Sequence, residues 1–345
     1  MRLDRANRSF LALVGVASLF GAIVLCGILG GVLLPMAVAR FSHGGLAGLW
    51  DDRRELLAPA ALLVLIAVGL GLGARALVRQ TLASRALSRR VRALALPTPE
   101  ALAQAACDTG LAGRVALVDS GDSFSFVYGV MTPRVAVSRG LLELASAEEL
   151  HAVLEHERYH VRNLDPFKAA IVGVFSQALF FLPALDSLRA RYVAGRELAA
   201  DRLAVAHYGC RPLAGALLKA VRVPEWSEHA GAAGISSPDL LDVRLLQLET
   251  GSEPRPEAFD RESVILSLAG AALVLAAFLI SVSCLGGATA VYRTRGTGLI
   301  AATGLGALAC AAPFIGAGLL IYSLLAVRAR RCPRTCVAGA SPGRD

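Results

Sequence analysis

The sequence predicts a mainly α-helical membrane protein with a small β-sheet: a four-helix transmembrane region, arranged as two pairs, enclosing an α+β domain. Three observations predict it. The chain of 345 residues is 55% hydrophobic and only 18% charged, whereas an average globular chain carries about 25% charge. Four stretches hold no Asp, Glu, Lys or Arg: Ser9 to Ala39, Leu56 to Ala74, Ser263 to Tyr292 and Gly296 to Val327. Residues 93–262 hold 16 basic and 22 acidic residues, while the flanking parts hold 19 basic and 5 acidic. This composition excludes a disordered tail, a collagen-like fibre and a small disulfide scaffold.

Each charge-free stretch reaches the ~18–20 residues that cross ~30 Å of hydrocarbon at ~1.5 Å per residue. None shows the polar stripe of a buried core helix. Ala37-Val38-Ala39 looks like a signal-cleavage site, but the apolar run before it is about twice the ordinary length, which favours an uncleaved span. Arg2, Arg5 and Arg8 precede the first span, Arg75, Arg79, Arg85, Arg89, Arg90 and Arg92 follow the second, and Arg328, Arg330, Arg331 and Arg334 follow the fourth. The excess of positive charge on the cytoplasmic side of membranes places the N-terminus, residues 93–262 and the C-terminus inside, with 40–55 and 293–295 outside. The net charge of +8 is therefore a topology signal and does not point to nucleic acid. The expected organisation is an N-terminal pair of spans with a basic linker (1–92, spans about 10–39 and 56–74), a cytoplasmic domain (93–262), and a C-terminal pair with a basic tail (263–345, spans about 263–292 and 297–327). Seven cysteines without regular spacing, three of them inside spans, imply no disulfide framework.

Within the middle region, Pro97 to Gly113 reads as a short helix. Two or three strands follow, at 114–119, 123–128 and 134–138, the last preceded by a turn at Met131-Thr132-Pro133. Ser146-Ala147-Glu148-Glu149 fits a capping box that opens a helix to about Asn163, with Pro166 as its stop. That helix carries His156-Glu157-Arg158-Tyr159-His160. Residues four apart share one helix face, so His156 and His160 can place imidazole nitrogens on one Zn²⁺ ion. Glu157, one step round the helix, stands beside the metal as a general base. A site on two histidines needs a third protein ligand and leaves a fourth position for water. Glu197 in Arg196-Glu197-Leu198-Ala199-Ala200-Asp201, 37 residues after His160, is the candidate. Asp201, one turn on, can accept from a histidine N–H and fix its tautomer. The competing reading makes Glu197 and Asp201 a solvated helix face.

His-Glu-x-x-His followed by Glu-x-x-x-Asp resembles the gluzincin peptidases. The words around it, Tyr128 to Leu142 (YGVMTPRVAVSRGLL) and Glu149 to Glu155 (ELHAVLE), resemble their membrane branch. The chain is most similar to the peptidase domain of the BlaR/MecR-type sensor-transducers, with the HtpX and CAAX-prenyl-protease family close behind, over about Ala93 to Leu248. The resemblance implies that residues 93–262 are a zincin-like (gluzincin) α+β metalloprotease domain in a bacterial cytoplasmic (inner) membrane. It also implies one Zn²⁺, with His156, His160 and Glu197 as ligands, Glu157 as general base and Asp201 as the outer partner. HtpX-like relatives carry His-Pro and then an Arg downstream; here Pro238 and Arg244 fit but Ser237 stands in place of the His. Either another group helps hold the oxyanion or touch substrate, with Arg244, His207 and Tyr208 as the candidates, or the match to that branch is loose. The given sequence ends at Asp345, 18 residues past the fourth span, and no extracellular penicillin-binding domain is expected.

The apolar stretch Ala169 to Leu185 tests this picture. A full crossing there would put Glu197 and His156 on opposite sides of the bilayer. The stretch must therefore return, either as a core helix or as a helix dipping into the membrane. The zinc helix is too charged to lie within the bilayer. The expected function is a zinc endopeptidase acting on a cytoplasmic or membrane-associated protein or peptide, either regulatory or, as the alternative, an HtpX-like quality-control enzyme. The strand at 134–138 is expected to bind an extended peptide by β-addition. A non-catalytic signalling scaffold on the same fold has no need of Glu157. A transporter would carry charges in its spans or inverted repeats. Its partners are then the substrate and the lipid bilayer, with no nucleic acid; nothing in the sequence sets an oligomeric state.

Overall fold

The computed structural model describes residues 5–28, 57–220, 233–234, 240–254 and 259–290. The expected fourth span, the outer segments 40–55 and 293–295, Ser236-Ser237-Pro238 and the basic tail lie outside the described residues. What is described is mostly helical, with one small mixed sheet.

Helix α1 (Arg5–Ile28) takes up much of the first charge-free stretch, α2 (Leu57–Ala93) the second, and α10 (Arg261–Ala290) most of the third. Among the described residues, one helix is long and apolar enough to cross a membrane, α2 from Ala60 to Ala93. Val64, Leu70, Leu268 and Leu273 point outward from α2 and α10, which suits lipid and not water. With 37 residues, α2 is ~55 Å long, well beyond the hydrocarbon thickness. Past Ala74, where the sequence reads as a basic linker, the helix continues unbroken. Leu87 and Val91 near its end are buried with Phe124, Phe126, Tyr128 and Ala136 against the sheet. The membrane helix and the domain core are one continuous piece.

The sheet holds β1 (Ala95–Leu96), β2 (Val115–Val118), β3 (Ser125–Tyr128), β4 (Arg134–Ser138) and β5 (Ala233–Gly234) in the order β1-β2-β4-β3-β5. Side chains alternate across a strand, so Phe126 and Tyr128 face α2 while Val127 faces the opposite core. That second core joins Val127, Val135 and Val137 to Leu102 of α3 (Glu100–Asp108), Leu154 of α5 (Ala147–Asn163) and Leu213 of α8 (Cys210–Lys219). Gly129 opens the turn into β4 at φ +88°, where a β-carbon would also strike the Thr132 carbonyl at 2.7 Å. Strand β4 pairs in parallel with β2 and antiparallel with β3. Both its edges are used, so the expected peptide addition at 134–138 does not fit this sheet. The outer edge of β3 is itself paired with β5 at Phe126 and Val127. Ser138 ends β4 and caps α4 (Arg139–Leu144), its hydroxyl accepting from the amides of Phe124 and Leu141.

Helix α5 begins with the expected reciprocal cap: the Ser146 hydroxyl accepts from Glu149 N, and the Glu149 carboxylate accepts from Ser146 N at 2.7 Å. It ends at Asn163, as expected, but Pro166 is not what stops it. Leu164, at φ +54° and ψ +42°, turns the chain through the left-handed region and stops the helix. Pro166 sits in the first turn of α6 (Asp165–Ala178), where a missing N–H costs nothing. Helix α6 runs along α2 until Ala178, whose carbonyl lies too close to Gly69 for any β-carbon there. The chain then reverses over residues 179–183 and returns as α7 (Ala184–Tyr208). At the reversal, the Phe181 carbonyl meets Gly270 of α10, and Phe180 is exposed. The stretch 169–185 is thus the apex of a helical hairpin packed among the apolar helices. Cys107 is disulfide-bonded, where no disulfide framework was expected, and Cys210 is free.

Candidate metal centre

Helices α5 and α7 pack side by side, and the residues singled out by spacing meet where they touch. His156, His160 and Glu197 are fully buried, with one donor atom each within 4.8 Å of the others. The imidazole Nε2 atoms are 3.1 Å apart, and Glu197 Oε2 lies 3.5 Å from His156 Nε2 and 3.6 Å from His160 Nε2. A tetrahedral ion with bonds of ~2.0–2.1 Å spaces its ligand atoms ~3.3 Å apart. The three separations straddle that value. Glu197 Oε2 is buried without a hydrogen-bond partner among the described residues. Three lone pairs directed at one point call for a cation.

The other side of each ligand is held. His156 Nδ1 donates to Asp201 Oδ1 at 2.8 Å, and His160 Nδ1 donates to Asp165 Oδ2 at 2.6 Å. Each bond leaves the Nε2 lone pair facing the cluster. Arg196 Nε donates to Glu197 Oε1 at 3.2 Å. Burial alone would raise the Glu197 pKa, yet His160, His156 and Arg196 hold it well below the usual carboxylate range. Burial would lower His160, yet Glu197 and Asp165 push it up to about 10. Cation-seeking charge surrounds that ring.

Glu157 is fully buried beside the cluster. Both its carboxylate oxygens lack a hydrogen-bond partner among the described residues, and burial pushes its pKa up against the pull of His156 and His160. Asp201 is also fully buried, clamped by Arg244 of α9 (Leu241–Thr250). Arg244 Nε donates to Asp201 Oδ2 at 2.7 Å and Nη2 to Oδ1 at 2.6 Å. Burial is opposed there by the guanidinium, which holds the Asp201 carboxyl low.

Of the candidates for substrate or oxyanion contact, Arg244 borders the cluster, its Nη1 3.9 Å from Glu197 Oε2, while the other two lie apart from it. Arg244 is wholly buried and grips Asp201 with both arms of its fork, so the expectation that it meets substrate is corrected to a supporting place behind His156. His207 donates to the Leu203 carbonyl and faces Glu155 across 3.4 Å. Tyr208 packs its ring on His151. Neither has a partner in the cluster. Asp165, Tyr192 and Arg196 went unnoticed in the sequence. Arg196 adjoins Glu197 and was readable as a buried charge; Asp165 becomes a neighbour of His160 only through the left-handed turn at Leu164.

Comparison with known proteins adds sequence likeness to this geometry. The chain is similar to a protease HtpX homologue of Campylobacter hominis, 32% identical over 126 residues, which cover 35% of this chain and 44% of that protein. A second, from Streptococcus equi subsp. equi, is 26% identical over 168 residues, 44% of this chain and 57% of the relative. One from Aquifex aeolicus is 46% identical over 48 residues, 14% of this chain and 16% of the relative. The chain thus spans little more than half, at most, of these relatives' length. The model of a family described as BlaR1 peptidase M56 matches residues 54–246. That range starts just ahead of the membrane-crossing helix, takes in every residue of the cluster and ends past Arg244, and by it the chain belongs to the BlaR1 peptidase M56 family.

Proposed function

We propose that this protein is a membrane-bound zinc endopeptidase that hydrolyses peptide bonds of a cytoplasmic or membrane-associated protein, in a regulatory role such as cleavage of a repressor or signalling protein. The observation that carries the reading is the meeting of Glu197 with the paired imidazoles, with an unpartnered carboxylate, Glu157, beside them. Two imidazoles, with the Nε2 proton of His160 displaced by the ion, and a carboxylate are a donor set that zinc takes in hydrolytic enzymes, with a fourth position left open. His156, His160 and Glu197 are its ligands. Bound there, zinc supplies a Lewis acid and a water acidified toward pH 7.

The remaining chemistry belongs to the chain. Glu157 accepts a proton as water adds to the peptide carbonyl, then gives it to the leaving amine. Its dry surroundings, which raise its pKa, suit a group that must take and return a proton near neutral pH. Asp201 and Arg244 fix the His156 ring from behind, so the ligand geometry is set before substrate arrives. The α6–α7 hairpin supports a site close to the bilayer surface, since Glu197 lies on the helix that returns from the apolar apex. The charge asymmetry of the flanks supports a cytoplasmic domain at 93–262 between two pairs of spans. The likeness to HtpX homologues favours a second reading, membrane-protein quality control by the same chemistry.

The test is Glu157→Ala in the full-length chain. The variant is expected to bind zinc as the wild type does, to lose cleavage of any wild-type substrate, and to retain that substrate for capture from membranes. Cleavage by the purified variant would remove Glu157 from the mechanism. Failure of the wild type to bind zinc would remove the metal.

A further inference from the structure

Asp165 lies five residues after His160, beyond the reach of a straight helix, and outside both motifs that single out the metal ligands. The left-handed turn at Leu164 folds it back. Its carboxylate is buried, and each oxygen has its own partner: Oδ2 accepts from His160 Nδ1 at 2.6 Å and Oδ1 from the Tyr192 hydroxyl at 3.3 Å. Tyr192 is buried as well, its ring tilted against Phe10 of α1 at 5.8 Å between centroids. Two more contacts seat α1 here: Lys168 Nζ donates to Asn7 Oδ1 at 2.7 Å, and Gly195 lies against Ala6. A chain of named contacts therefore runs from the first helix through Tyr192 and Asp165 to the ring of His160.

We propose that Asp165 is a positioning residue for His160, oriented by Tyr192 on the seat provided by α1, so that the first helix supports the metal centre. The inference rests on the reading of His160 as a zinc ligand. Nδ1 donating to a carboxylate fixes both tautomer and ring plane, which a flexible imidazole otherwise loses on binding. Asp201 does this for His156 and Asp165 for His160, one carboxylate to each ring. The competing role for Asp165 is to start α6, since an acid in a first turn favours the helix dipole.

Zinc affinity separates the two roles. The full-length chain in detergent is titrated with zinc against a chelator of known affinity, and the absorption of the cobalt(II)-loaded protein reports the ligand field. Asp165→Ala is expected to bind zinc about 10–100-fold more weakly with a changed cobalt spectrum. Asp165→Asn, whose carboxamide oxygen still accepts from Nδ1, is expected to lose less. Tyr192→Phe removes only the hydroxyl and is expected to shift affinity in the same direction. Lower melting temperatures with unchanged affinity and spectrum would assign Asp165 to the helix start alone and overturn the proposal. Should Asp165→Ala not fold, unchanged affinity in Asp165→Asn and Tyr192→Phe overturns it equally. His160→Ala is the reference: if the wild type binds zinc no better than this variant, the zinc reading itself has failed, and this inference falls with it.

Discussion

Replacing Arg244 with Met removes a buried charge, and the structure sets the cost. Arg244 and Asp201 are both fully buried, joined by two short bonds of 2.7 and 2.6 Å. Removing one member of such a pair leaves the other charge in a dry interior, which typically costs ~3–5 kcal/mol. For a folded unit of this size a kilocalorie moves the melting temperature by roughly 2–4 °C, so the expected fall is about 6–20 °C. The assay is helix loss by circular dichroism in detergent at one matched scan rate, because membrane proteins often unfold irreversibly. Arg244→Lys keeps a point charge without the fork and should fall between wild type and Arg244→Met. Adding Asp201→Asn to Arg244→Met should recover part of the loss, because the stranded carboxylate is gone. Since Asp201 also orients His156, zinc affinity should drop alongside stability. A variant that melts within about 2 °C of wild type, against the several degrees that a buried pair demands, and that binds zinc equally well would refute the assignment of Arg244 to Asp201.

Other consequences are equally direct. Burial would raise the pKa of Glu149, but Lys219, 2.6 Å away, and the Ser146 amide hold it below its ordinary 4.5. Its contribution to the start of α5 is therefore complete above about pH 4.5 and is lost as pH falls through the lower folded value. Lys219→Ala should make acid unfolding begin at higher pH, and Ser146→Ala should cost about 1 kcal/mol at neutral pH, both read by circular dichroism. Gly69→Ala puts a β-carbon 2.5 Å from the Ala178 carbonyl and should destabilise the chain by about 1–3 kcal/mol. Gly71→Ala on the same helix meets nothing within 4 Å and should be neutral or slightly stabilising in the same melt. Equal effects from the two would mean that α6 does not lie against α2.

The cluster of His156, His160 and Glu197, with Asp201 behind it, was legible because the residues sit four apart on one helix, His156 with His160 and Glu197 with Asp201. Periodicity alone puts such pairs on common faces. What the sequence hid depends on how helices end and cross. Asp165 reaches His160 only because Leu164 adopts a conformation that non-glycine residues seldom take, and no spacing rule anticipates it. Pro166 looked like a terminator but opens the next helix. Arg244 looked available for an oxyanion because its partner, 43 residues earlier, is revealed only by the packing of α9 on α7. Strand β4 looked like an edge because strand order in a mixed sheet is not written in local pattern. The hairpin was required by logic, since Glu197 had to return to His156, but its apex against Gly69 and Gly270 is a property of three helices at once.

These contacts also decide how the centre is suspended. His156 and His160 stand on α5, whose other side is fixed to the sheet, and the sheet in turn packs on the far end of α2. Glu197 stands on α7, which is seated on α1 by Phe10, Tyr192 and Gly195. His156 and His160 are thus backed by the sheet and α2, and Glu197 by α1 and by the hairpin, whose first helix also lies along α2. A metal held by His156, His160 and Glu197 would bridge α5 and α7 where the two helices touch. The helix α2, long and apolar enough to cross a membrane, runs unbroken into the packing behind the sheet, so its position and that of α5 are set together.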